Sequence, residues 1–159
     1  MFKYIIQLII GSVVLCTATF IAWYEGSAIM NHPWEWKYST PFTKLLHMDI
    51  MDGRDISQLD YFVYAAKFQP LFPTIMMVSG IYILCVIGYY LLKCNYDWTI
   101  GYFGLIGCIL LVVSGLVYNS PTNGGRIFFW ITSVCGFIFM AVAGMGWIRN
   151  AQHKETINT

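Results

Sequence analysis

Charge is scarce in this chain, and it avoids four long stretches altogether. Lys, Arg, Asp and Glu make up 11% of the 159 residues, against about 25% in an ordinary soluble domain. The runs 5–23, 71–92, 98–118 and 127–148 contain no Asp, Glu, Lys, Arg or His. Ion and proton pathways across membranes usually rely on ionisable groups inside the spans, so a proton-coupled transporter finds little support. A b-type cytochrome is excluded, because haem in a helical bundle needs imidazoles projecting inward. His32, His47 and His153 all lie outside the runs. Cysteine is missing from the long segment 24–69. Cys16, Cys85, Cys94, Cys108 and Cys135 lie in or at the end of the apolar runs, and no two are spaced C-x-x-C. That argues against a disulfide-stapled outer domain and against a cysteine metal cluster. A net charge of +1 supplies no field for nucleic acid and no polybasic lipid patch. Internal repeats and low-complexity segments are also absent.

What remains is apolar length. A bilayer core needs about 20 apolar residues in a helix, and each of the four runs meets that. The sequence therefore predicts one all-α domain over 1–159, an integral membrane four-helix bundle. Its spans are about 5–23, 71–92, 98–118 and 127–148. Lys3 ahead of the first run imitates a signal peptide. The run is long for that, however, and no A-x-A site follows, so an uncleaved span is expected. Lys3, Lys93, Arg149 and Lys154 stand in short segments on one side, whereas Lys44 and Arg54 lie deep in the long loop among acids. Weighting short segments near span ends puts the termini of a multi-pass membrane protein on the inner, cytoplasmic side and the long loop outside. Trp23, Tyr24, Tyr89, Tyr90, Trp98, Trp130 and Trp147 fall near span ends, where amphipathic rings settle.

Lipid gives helices no hydrophobic reason to associate, so small residues should mark the seams. Gly101, Gly104, Cys108, Leu111 and Gly115 form one stripe on the third span. Ser133, Gly136, Met140, Ala143 and Trp147 form another on the fourth. These faces are expected to meet across a turn at 119–126, with Pro121 and Asn123-Gly124-Gly125 as turn chemistry. Homo-oligomerisation through the same Gly-rich faces is the alternative. Gln7, Thr17, Thr74, Ser79, Ser114, Thr132 and Ser133 read as interhelical or backbone hydrogen-bonding groups.

The segment 24–69 holds 10 of the 17 charged residues and two of the three histidines, and is expected to be a partly helical extracytoplasmic loop. Alternation of Trp34, Trp36 and Tyr38 with Glu35 and Lys37 predicts an extended stretch with three rings on one side. That side suits burial, headgroup insertion or docking of a partner. Thr40-Pro41 reads as N-cap and first helical position of a helix from 41 to about 51. Asp52-Gly53 reads as a turn. Asp55 with Gln58 resembles a capping box for a helix carrying Ile56, Leu59, Phe62, Val63 and Ala66 on one side. Asp49, Asp52 and Asp55 lack the spacing of a calcium loop, and His32, Glu35 and His47 lack a zinc signature. Caps and turns explain those acids, so no metal, cofactor or catalytic residue is expected.

Trp23-Tyr24-Glu25-Gly26-Ser27, Trp34-Glu35-Trp36-Lys37-Tyr38-Ser39-Thr40-Pro41 and the stretch from Asp60-Tyr61-Phe62 to Phe68-Gln69-Pro70 resemble small four-span membrane proteins of Bacillus-type bacteria. These are grouped only as a domain of unknown function. The resemblance reaches over nearly the whole chain and brings no catalytic residues. It implies a Gram-positive plasma membrane with the loop facing the wall. The expected role is interaction or assembly through 24–69 with another membrane or cell-envelope protein. A small oligomeric channel or carrier is the alternative, and a lipid- or wall-modifying enzyme a further one.

Overall fold

The computed structural model describes residues 2–46, 50–94 and 96–158. Helix α1 spans Phe2–Gly26, and short helices α2 (Trp36–Ser39), α3 (Pro41–Leu45) and α4 (Gln58–Phe68) follow. Helices α5 (Leu71–Cys94), α6 (Tyr96–Val117) and α7 (Asn123–Asn158) complete the chain. Among the described residues there is no strand. Among these residues four helices are long and apolar enough to cross a membrane, over Phe2–Asn31, Leu71–Lys93, Trp98–Val117 and Asn123–Asn150. Each predicted span thus lies within a helix, apart from a residue or so at one end. The helices run further because backbone hydrogen bonding continues beyond the hydrocarbon length that composition marks.

The long helices form two packed pairs, α1 with α5 and α6 with α7, which meet through a smaller α5–α6 contact. Small residues bring α1 against its neighbours: Gly11, Ala18, Ala22 and Gly26 are its buried positions. A Cβ on Gly11 would stand 3.0 Å from Ile83 Cγ1. In the α6–α7 seam, a Cβ on Gly107 would lie 2.9 Å from Met140 Cγ and 3.1 Å from its backbone nitrogen. One on Gly136 would lie 2.9 Å from Leu111 Cγ. Phe103, Ile106, Phe139 and Ala143 fill the centre, with the rings of Phe103 and Phe139 edge to face at 5.4 Å. Ser114 and Ser133 share a hydrogen bond across the seam. Between the pairs, Gly88 makes room for the Phe103 ring, and Tyr102 donates to the Leu84 carbonyl at 2.9 Å.

At the end of the molecule remote from the termini, α4 touches α1, α5 and α7. Two glycines permit it. Gly26 packs on the Tyr61 carbonyl and Gly124 on the Ala66 carbonyl, so closely that a Cβ at either would collide with backbone. Asn123-Gly124-Gly125 is therefore the first turn of α7 rather than part of the connection. Thr122 precedes it, its Oγ1 accepting from Gly125 N at 3.2 Å. The glycines there serve close approach to α4, a need that looks like turn chemistry in a sequence.

Candidate interaction surface

The segment between α1 and α5 folds back on itself around one buried side chain, Asp60, which has no solvent exposure. It accepts from Phe42 N (2.9 Å), Thr43 N (2.8 Å) and Thr43 Oγ1 (2.5 Å). The two N–H groups are free backbone donors at the start of α3, and the third donor is the Thr43 hydroxyl. Thr40 does precede α3 and Pro41 does open it, but Thr40 makes no side-chain cap. Its hydroxyl donates instead to the Trp36 carbonyl, and the capping oxygens come from α4. Thr43 Oγ1 also accepts from Ser57 N at 2.9 Å, which ties the entry of α4 to α3.

Asp60 also decides which side of α4 faces inward. The buried residues there are Asp60, Tyr61, Tyr64 and Ala65, and Leu59 is 53% exposed. None of Leu59, Phe62, Val63 and Ala66 is among them, so at about 100° per residue the inward face lies on roughly the opposite side of the helix from the expected one. Ser57, not Asp55, caps this helix, its Oγ accepting from Leu59 N. Asp55 looks the other way: it accepts from Met51 N (3.0 Å) and Asp52 N (2.9 Å). Asp52 in turn caps the tight turn Gly53–Asp55. Gly53 is required there, since a Cβ would come 2.7 Å from the Met30 carbonyl oxygen.

The aromatic stretch is helical, not extended. Pro33 starts a tight turn over Pro33–Glu35, and α2 continues it. Helical spacing replaces alternation, so Trp34 and Tyr38 point outward while Trp36 does not. Trp34 is 69% and Tyr38 68% exposed. Trp36 is half-buried against the cluster of Ile29, Ile56, Tyr61 and Tyr64, and its Nε1 donates to the Ile29 carbonyl at 2.9 Å. Beside this pair, Lys67 Nζ donates to the Tyr38 carbonyl (2.7 Å) and to Ser39 Oγ (3.1 Å), and Ser39 Oγ donates to Glu35 Oε2 at 3.1 Å. Burial lowers the Lys67 pKa, with the Glu35 carboxylate opposing and Lys44 reinforcing the shift. Burial, then Glu35, raises that of Tyr64. The His32 ring stacks on Tyr64 at 6.1 Å. Gln69, with its amide nitrogen turned to Glu25, donates to both carboxylate oxygens at 3.1 and 3.2 Å. This closes the cap onto α1.

His47 and Asp49 lie outside the described residues. Among the described residues no three His, Cys, Asp or Glu side chains converge as a metal would need. Of the packing stripe, Gly104 lies 3.8 Å (by an added Cβ) from Ala143 Cβ, and Cys108 Sγ lies 3.8 Å from Met140 Sδ. Gly136 sits against Leu111 and Gly107. Gly101 and Gly115 have open space where a Cβ would stand, and Trp147 is exposed. Gly107 belongs to the seam although it lies off the heptad stripe.

The sequence profile of a family described as "Domain of unknown function (DUF4306)" matches residues 5–92. The chain belongs to that family. The match takes in α1, the whole cap and nearly all of α5, and stops before α6. That is less than the near-complete reach the resemblance implied. Within this frame, the uncharacterized protein YjdJ of Bacillus subtilis (strain 168) is 33% identical over 95 residues. The match covers 57% of this chain and 87% of the relative. No solved structure matches the chain.

Proposed function

We propose that the protein is a multi-pass plasma-membrane protein whose cap, residues 24–69, is an outward-facing contact surface for another membrane or cell-envelope protein. The observation that carries this reading is the pair Trp34 and Tyr38. Two large rings stand about 70% exposed on a scaffold held by Asp60, Trp36 and Lys67. Tryptophan and tyrosine on a preformed surface are the groups that dominate partner binding, because little ordering entropy remains to be lost.

The outer walls of the helices support membrane insertion. Ile9, Val13 and Phe20 on α1, Val112 and Leu116 on α6, and Phe137 on α7 are all exposed, a cover suited to lipid rather than water. The density of Lys and Arg in short segments near the termini directs these to the cytoplasm. A channel is less well served. Thr17, Thr19, Ser79 and Thr132 donate to carbonyls of their own preceding turns, and Ser114 and Ser133 satisfy each other.

A photo-crosslinking residue at position 38, with one at exposed Leu59 as control, tests the proposal in native membranes. Discrete protein adducts are expected from 38 and not from 59, and should be lost with Trp34→Ala. Lipid adducts alone at 38 would contradict the docking role.

A further inference from the structure

The opposite end of the molecule carries a second feature, a groove between the first turns of α1 and the last turns of α5. It has a volume of about 500 Å³ and is lined by Lys3, Tyr4, Gln7, Cys85, Tyr89 and Lys93, among others. No carboxylate is among its described lining residues. The Lys93 ammonium lies 5.2 Å from the Tyr4 ring centre and 5.7 Å from that of Tyr89. The rings hold that charge in place without neutralising it. Tyr4 also leans on Tyr89 and Tyr90 at 5.8 and 6.0 Å, so the aromatic wall is built and not incidental. An apolar groove of about 210 Å³ adjoins it, sharing Tyr4 and Val86 and adding Ile5, Leu8, Ile87 and Tyr90.

From this juxtaposition we infer that the groove binds an anionic phospholipid, with the phosphate between Lys3 and Lys93 and an acyl chain along the apolar groove. The inference rests on the membrane reading above, which puts both ends of these helices at headgroup depth. Two ammonium groups, with the Gln7 amide N–H and the tyrosine O–H groups as further donors, line the groove, and a phosphate would satisfy them. A choline headgroup finds no such complement, because Lys93 already occupies the ring faces that would receive a quaternary ammonium. Two lysines are fewer than a polybasic segment carries, so the selectivity belongs to a site and not to a charged tail.

The test uses the full chain in neutral detergent, titrated with phosphatidylglycerol, phosphatidylcholine or inorganic phosphate, with lipid retention read by native mass spectrometry. Phosphatidylglycerol should be retained roughly tenfold better than phosphatidylcholine. Inorganic phosphate should neither displace it nor raise the melting temperature comparably. The Lys3→Gln/Lys93→Gln double variant should bring phosphatidylglycerol down to the phosphatidylcholine level at unchanged melting temperature in phosphatidylcholine, and Lys93→Arg should keep the preference. Equal retention of the two lipids overturns the inference, as does unchanged preference in the double variant. Competition by inorganic phosphate at similar concentration overturns the lipid assignment in favour of a free anion. Alkaline carbonate extraction of native membranes separates the two levels. Release of the chain would sink the membrane reading itself, whereas retention with equal lipid binding sinks only the headgroup site.

Discussion

A carboxyl group taken wholly out of water loses its hydration, and only hydrogen bonds make that loss tolerable. Asp60 recovers it through three donors from α3, so this one side chain joins elements 17 residues apart. Asp60→Asn keeps the volume but turns an amide donor toward backbone N–H groups. It should cost the cap about 1–3 kcal/mol. In membranes, the expected sign is rapid proteolysis near Asp52-Gly53-Arg54, slow in the parent, with the long helices still inserted. Cutting at the parental rate would show that α3 holds without its cap. Thr40-Pro41 and the end of α4 before Pro70 were legible in the sequence because local chemistry decides them. Asp60 was not, since an acid in the first turn of a helix reads as a solvated complement to the helix dipole, and no local signal links it to Thr43.

Helix contacts depend on where a Cβ would go. Gly26→Ala and Gly124→Ala each place that atom against a carbonyl of α4, which cannot move without shifting the helix, so both should lower the melting temperature in detergent. Gly80→Ala, with nothing within 4 Å, should not. In the α6–α7 seam the expected order is Gly107→Leu and Gly136→Leu well below the parent, because added volume parts the backbones. Gly115→Leu should melt at the parental temperature. A loss at Gly115 equal to that at Gly136 would mean that its open face meets a second protomer. Of the small-residue stripe, Gly104, Cys108 and Gly136 lie against the facing helix, whereas Gly101 and Gly115 face open space. The stripe missed Gly107, Gly26 and Gly124, whose neighbours are set by crossing geometry that spacing along one helix does not encode. The aromatic triplet failed for a different reason. Alternation over five residues fits a strand, but Pro33 starts a helical turn, and a helical period then sends Trp36 inward and its neighbours outward.

For the whole molecule, α4 is the piece that connects the α1–α5 pair to the start of α7, so the cap and the long helices share one framework. The apolar runs made the four helices readable from length alone; how the cap sits on them was not readable, because it depends on backbone contacts at Gly26 and Gly124. On a cysteine-free background, a cysteine at position 38 should react with a membrane-impermeant reagent in intact cells and one at position 93 should not. Labelling at 93 would reverse the orientation. The central claim is that the cap is a preformed surface, and amide hydrogen exchange of the full chain in lipid nanodiscs tests it most directly. The amides of Phe42 and Thr43 should exchange at least 100-fold (on the order of 3 kcal/mol) more slowly than unstructured peptide, and Asp60→Asn should abolish that protection. Exchange of both amides at the unstructured rate in the parent would make residues 24–69 a flexible tether and contradict the account.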